Sequence, residues 1–236
     1  MIDDPGARRG VARRQFLQAT VASALVGMAT RSPMFPPTAR RLDTPPRPMS
    51  SDSAVQQLLD GNRRFAANQL TSIEHDLSIL KAHTVDKQEP FAAVLACADS
   101  RVPVELVFDQ TIGHIFVTRV AGNIVTPEII ASLEYAVAVL GIRALMVLGH
   151  TNCGAVKAAM KADDVPGQIS SLYPPLRPAV SASGGDVAKA IDANARMQAE
   201  LLRTSSTVIR DAMKAGKLEV VAGVYDLATG NVAVTG

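Results

Sequence analysis

Residues 90–97 read Pro-Phe-Ala-Ala-Val-Leu-Ala-Cys and residues 144–153 read Ala-Leu-Met-Val-Leu-Gly-His-Thr-Asn-Cys. Each opens as a short, unbroken apolar run, and runs of that length without polar alternation form strands buried on both faces. The first run ends at Ala96, directly before Cys97, and the second spans residues 144–148, two residues before His150, so both expected strands end beside a side chain able to bind a metal. Residues 114–120 make a third, β-branched run. Between the last two runs, residues 128–140 carry Ile129, Ile130, Leu133, Val137 and Leu140 at helical spacing, and Gly141 supplies a stop. Upstream, Ser51, Asp52 and Ser53 offer N-caps to a helix bearing Val55, Leu58, Leu59, Phe65 and Ala66. Downstream, residues 185–214 predict one or two helices and residues 218–225 a strand. Thr229-Gly230 then turns the chain into residues 231–235. This alternation predicts an α/β fold with a mostly parallel central sheet flanked by helices and a C-terminal antiparallel edge hairpin.

The chain has 236 residues, 47% of them hydrophobic and 19% charged, which suits one core rather than two. Aromatic residues make up 4% and Trp is missing, so a stacking platform for single-stranded nucleic acid is not expected. Arg8, Arg9, Arg13 and Arg14 stand against Asp3 and Asp4 in residues 1–29; removing these leaves 20 of the 24 basic and 20 of the 22 acidic residues. The positive balance thus belongs to the first 29 residues, and no nucleic-acid partner is implied. That segment reads as an address. Arg13-Arg14-Gln15-Phe16-Leu17-Gln18 resembles the twin-arginine export consensus, and an apolar stretch follows over residues 19–29 with Gly27 and Ala29 as small residues for cleavage. The stretch is shorter than the roughly 20 apolar residues of a membrane span. The expected organisation is a signal peptide over 1–29, a Pro-rich linker over 30–50 and a folded domain over 51–236. Delivery by export machinery to the periplasm or the outside is the corresponding localisation.

Open α/β sheets collect ligands beyond the carboxyl ends of their strands, where Cys97 and His150 fall. His150-Thr151-Asn152-Cys153 adds a second thiol as the chain turns into a helix near residue 152 or 154. Two sulfurs and one imidazole meet the ligand count of a catalytic zinc site, with three protein ligands and water in the fourth position. Bound water there would be activated near neutral pH. Asp99 and Arg101 follow Cys97 at i+2 and i+4. Paired with Arg101, Asp99 is held off the metal and can accept a hydrogen bond from the nucleophile; unpaired, it could become a fourth ligand and close the site.

Cys97-Ala98-Asp99-Ser100-Arg101 and His150-Thr151-Asn152-Cys153-Gly154 resemble the paired signatures of the β-class carbonic anhydrases. The likeness continues through Arg101-Val102-Pro103, Phe108-Asp109-Gln110, Arg119-Val120-Ala121-Gly122-Asn123 and Gly149-His150, and covers residues 51–236. The resemblance implies one zinc ion per chain held by Cys97, His150 and Cys153, with Asp99 and Arg101 as the catalytic pair. It implies reversible hydration of CO2 to bicarbonate and a proton by zinc-bound hydroxide, and self-association as a dimer or tetramer. Gly154 would allow close backbone approach. Some members bind regulatory bicarbonate at a site built partly from a Trp just before the first ligand; this chain has Val94 there but keeps Arg119, so only part of that site survives.

Other readings accompany these residues. Two cysteines in an exported chain could form a disulfide, and a structural zinc would need Asp99 to complete four ligands, since His75, His83 and His114 lie outside ligand spacing. Asp99–Arg101 could be a surface ion pair, Arg119 could neutralise a carboxylate, His114 reads as a loop-end residue, and Gly122-Asn123 reads as a turn. On the same scaffold a related linear molecule such as carbon disulfide could be hydrolysed instead, or the domain could be a non-catalytic zinc-binding oligomer module.

Overall fold

The computed structural model describes residues 49–72 and 84–236. The expected signal peptide and nearly all of the linker lie outside these residues, as do His75 and His83. Among the described residues no helix is long and apolar enough to cross a membrane.

In chain order the elements are α1 (Ser51–Ala66), β1 (Ala92–Ala96), the single turn α2 (Val104–Val107), β2 (Ile115–Arg119), α3 (Pro127–Ala138) and β3 (Ala144–His150). They continue with α4 (Gly154–Lys161), α5 (Tyr173–Ala182), α6 (Val187–Ser205), α7 (Thr207–Lys214), β4 (Glu219–Tyr225) and β5 (Val232–Val234). The sheet order is β2-β1-β3-β4-β5, with parallel pairing except between β4 and β5. This is the α/β architecture read from the sequence, antiparallel edge included.

Every residue of β1 and β3 is buried, which explains their unbroken apolar character. Successive side chains serve opposite layers. Ala92, Val94, Ala144, Met146 and Leu148 pack with Val55 and Leu58 of α1, whereas Ala93, Leu95, Leu145 and Val147 pack with Leu133 of α3, Leu202 of α6 and Ile209 of α7. β1 and β3 run in register from Ala92↔Ala144 to Ala96↔Leu148. That alignment brings Cys97 level with the end of β3.

Three local expectations change and one is narrowed. The N-cap of α1 is Ser50, whose side chain accepts from the Ser53 N–H, instead of Ser51, Asp52 or Ser53; its extended ψ of 161° turns the side chain onto the free amides. β3 extends two residues past 148, so His150 is the last strand residue. Of the one or two helices expected over residues 185–214, two form, because Ser206, extended at ψ 121°, breaks the run and caps α7 through the Ile209 N–H. A 3-10 turn at Ile169–Leu172 and helix α5 were not foreseen, because Pro174, Pro175 and Pro178 read as breakers. Two of these prolines occupy the first turn, where a missing N–H costs nothing, and buried Tyr173, Leu176 and Ala179 anchor the helix.

Candidate metal centre

Cys97 follows β1, His150 ends β3, and Cys153 caps α4. All three are buried, and one ligand atom from each lies within 4.8 Å of the others. Both cysteines are free thiols.

The ring of His150 is turned for ligation. Its Nδ1 lies 2.9 Å from the Thr151 carbonyl oxygen, which can only accept, so Nδ1 carries the hydrogen and Nε2 keeps its lone pair. Nε2 is fully buried with no hydrogen-bond partner. Such a nitrogen, left bare beside two sulfurs, fits a cation that prefers nitrogen and sulfur donors. Thr151 is itself fixed, donating its N–H to the Tyr225 carbonyl at 2.9 Å and accepting from the Leu227 N–H at 3.0 Å. An outer layer that orients the imidazole is therefore present.

The sulfurs differ in surroundings. Cys97 Sγ accepts the Gly122 N–H at 3.2 Å. The hydrogen bond between the two sulfurs holds the Cys97 thiol far below its ordinary range, aided by His150 and by the backbone at Gly122 and Asp99. The same bond, followed by burial, pushes Cys153 up, against the pull of the α4 backbone amides at Val156 and Ala155. Two buried sulfurs set side by side thus favour one ionised sulfur in the pair. A divalent cation takes up negative charge of this kind.

Asp99 stands outside the three-residue group, with Oδ2 3.8 Å from His150 Nε2. Arg101 grips it with the backbone N–H and Nε on Oδ1, each at 2.9 Å, and Nη2 on Oδ2 at 2.7 Å. That grip keeps the Asp99 carboxyl ionised well below the usual carboxylate range. Arg119 does not face a carboxylate among the described residues. Its Nε donates to the Cys97 carbonyl at 3.0 Å and its Nη2 to the Asp99 carbonyl at 2.5 Å, bracing the backbone that carries both side chains. Gly154 begins α4, and a Cβ placed there would meet no atom of the chain within 4 Å. His114 is exposed at the start of β2, away from the cluster.

Gly122-Asn123 is a turn, with φ of +78° and +43°, but one that aims a donor at a candidate ligand. A Cβ on Gly122 would lie 3.2 Å from Leu176 and 3.3 Å from Ala155. Sequence reasoning missed this role. It also missed Asn194 and Gln198, whose signal was legible: two amides four residues apart on the same face as Ala190, Ile191, Ala195, Ala199 and Leu202.

Residues 92–232 match the family model described as carbonic anhydrase. A carbonic anhydrase of Mycolicibacterium smegmatis is 37% identical over 76% of this chain and 91% of its own length. Carbonic anhydrase 2 of Mycobacterium tuberculosis is 33% identical over 75% and 89%, respectively. Among solved structures, a β-carbonic anhydrase of Sordaria macrospora, one of two described as tetrameric, superposes with a TM-score of 0.62 at 25% identity over 77% of this chain and 96% of that one. A Coccomyxa β-carbonic anhydrase in complex with acetazolamide gives 0.60 at 28% identity over 76% and 85%.

Proposed function

Because the chain belongs to the β-class carbonic anhydrase family, we propose that it hydrates CO2 reversibly to bicarbonate and a proton, with one zinc ion held by Cys97, His150 and Cys153. The observation that carries this reading is the bare, buried Nε2 of His150 converging with two sulfurs. Zinc, when bound, supplies the Lewis acidity that makes hydroxide available near pH 7. The rest is the work of the chain. His150 presents Nε2 because Thr151 holds Nδ1–H. Asp99, ionised, can only accept a hydrogen bond, so it orients the attacking water by accepting one from it while remaining a carboxylate. Arg101 keeps that carboxylate charged and away from the ligand set, and Arg119 fixes the backbone between Cys97 and Asp99. The proton set free on forming bicarbonate passes to solvent. With Asp99 held by Arg101, the residues that would hold zinc are Cys97, His150 and Cys153, the three-ligand set of a catalytic site.

Cys97→Ser tests the reading. Metal analysis and stopped-flow CO2 hydration should lose zinc and turnover together, and full activity in a zinc-free Cys97→Ser protein would end it.

The same proposal includes export and assembly. Arg13-Arg14 ahead of a short apolar run supports twin-arginine export to the periplasm or beyond. The tetrameric description of the Sordaria macrospora enzymes supports self-association. Sedimentation of the mature protein as a monomer would remove the second.

A further inference from the structure

α6 lies far from Cys97 in sequence yet reaches it through peptide groups. Asn194 and Gln198 are 1% and 4% exposed and sit one above the other on its inner face. Gln198 Oε1 accepts the Val125 N–H at 2.8 Å, and an N–H can only donate, which settles which end of the Gln198 amide is oxygen. Its Nε2 therefore donates, to the Pro175 carbonyl and to Asn194 Oδ1, both at 3.2 Å. With Oδ1 so occupied, Asn194 Nδ2 donates to the Gly122 carbonyl at 2.9 Å. The N–H of Gly122 is the donor on Cys97 Sγ. A single orientation of both amides thus passes from α6 to the sulfur.

The helix has little freedom to drift. A Cβ on Gly149, one residue before His150, would meet Ile191 at 3.3 Å and Ala195 at 3.5 Å, so α6 rests directly on the end of β3. The loop at 120–125 is thereby referenced to the strand that carries the imidazole.

We infer that Asn194 and Gln198 are positioning residues for the metal centre: Asn194 holds the Gly122–Asn123 peptide by its carbonyl, which fixes the backbone at Gly122 so that the N–H of the preceding Ala121–Gly122 peptide stays on the Cys97 sulfur. This rests on Cys97 being a metal ligand. The N–H draws charge from the thiolate and fixes where its lone pairs point. Outer partners of metal ligands act in this way. Loss of either amide releases the Gly122–Asn123 peptide and lets the backbone torsions of Gly122 drift, so that the adjoining N–H leaves the sulfur, which is then misdirected and a more basic donor.

The test uses the whole mature protein with zinc and with cobalt(II) in its place. Asn194→Leu keeps volume and removes the donor. It should weaken zinc about 10- to 100-fold in chelator competition and shift the thiolate-to-cobalt charge-transfer band. Gln198→Glu keeps the acceptor for Val125, removes the donors to Asn194 and Pro175, and should move both readouts the same way; it carries the test should Asn194→Leu not fold. Leu202→Ala, buried on the same helix but in the α3–α7 layer, should lower Tm while leaving zinc affinity and the cobalt band unchanged. Unaltered affinity and spectrum in the Asn194 and Gln198 variants, or equal weakening by Leu202→Ala, would overturn the inference. Failure of the unsubstituted protein to bind either metal would instead overturn the ligand assignment beneath it.

Discussion

Replacing Asp99 by asparagine changes few atoms and reverses one interaction. Arg101 donates to Oδ1 twice at 2.9 Å and to Oδ2 once at 2.7 Å, and Oδ2 is the oxygen nearer to His150 Nε2, at 3.8 Å. In Asp99→Asn the side chain has one oxygen to offer three donors. If that oxygen takes the place of Oδ1, the amide nitrogen faces both Arg101 Nη2 and the attacking water as a donor meeting donors. The hydrogen bond that orients the nucleophile is then lost, and a bond to a charged group is worth about 1.5–3 kcal/mol. At about 1.4 kcal/mol per factor of ten, kcat/KM for CO2 hydration should fall roughly 10- to 150-fold. Zinc content should stay at one ion per chain, since the substitution touches none of the three ligands. Stopped-flow hydration with a pH indicator, paired with metal analysis of the same sample, measures both quantities. Unchanged kcat/KM at full zinc content would refute the orienting role; loss of zinc would show that Asp99 helps to hold the metal.

Gly61→Ala should destabilise the protein although Ala favours a helix over Gly by about 1 kcal/mol, because the new Cβ would fall 1.8 Å from the Phe108 carbonyl oxygen. Overpacking of about 1–3 kcal/mol, with strain on the Asn62 bonds to Val107 and Gly230, should lower Tm by several degrees, and a rise in Tm on thermal scanning would contradict the packing of α1. For Asp109, burial raises the carboxyl, but the Ser72 N–H, then Arg64, and the Ser72 and Thr71 side-chain contacts outweigh it and hold it well below the ordinary value. A depressed carboxyl stabilises the fold above its unfolded pKa of about 3.9, and this is lost as pH falls through the folded value. Asp109→Asn, acceptable at φ +47°, should therefore cost about 1.5–3 kcal/mol at neutral pH and flatten the acid limb of urea-unfolding curves below about pH 4; parallel acid limbs would exclude this role. Arg13→Lys with Arg14→Lys should retain the precursor in the cytoplasm on fractionation, and undiminished export would discard the twin-arginine reading.

Much of this protein was legible in its residues alone, because the relevant signals are local. Unbroken apolar runs placed β1 and β3, the helical spacing of Ile129, Ile130, Leu133 and Val137 placed α3, and the chemistry of two thiols and an imidazole named a metal and the three residues able to hold it. The adjacency of Asp99 and Arg101 to Cys97 was likewise legible, since two and four residues of separation keep them in one turn. Long-range packing settled what remained. Only the β1–β3 register sets Cys97 beside His150, and only the folded turn shows Arg101 gripping Asp99 and Arg119 resting on main-chain carbonyls. Helix α5 emerged from burial of Tyr173 and Leu176 in a stretch whose prolines locally argue against it. Asn194 meets Gly122 across 72 residues of chain. Which peptide N–H faces a given sulfur depends on how a helix lies against a sheet, and hydrogen bonds act over about 3 Å, a precision that side-chain type and spacing do not encode.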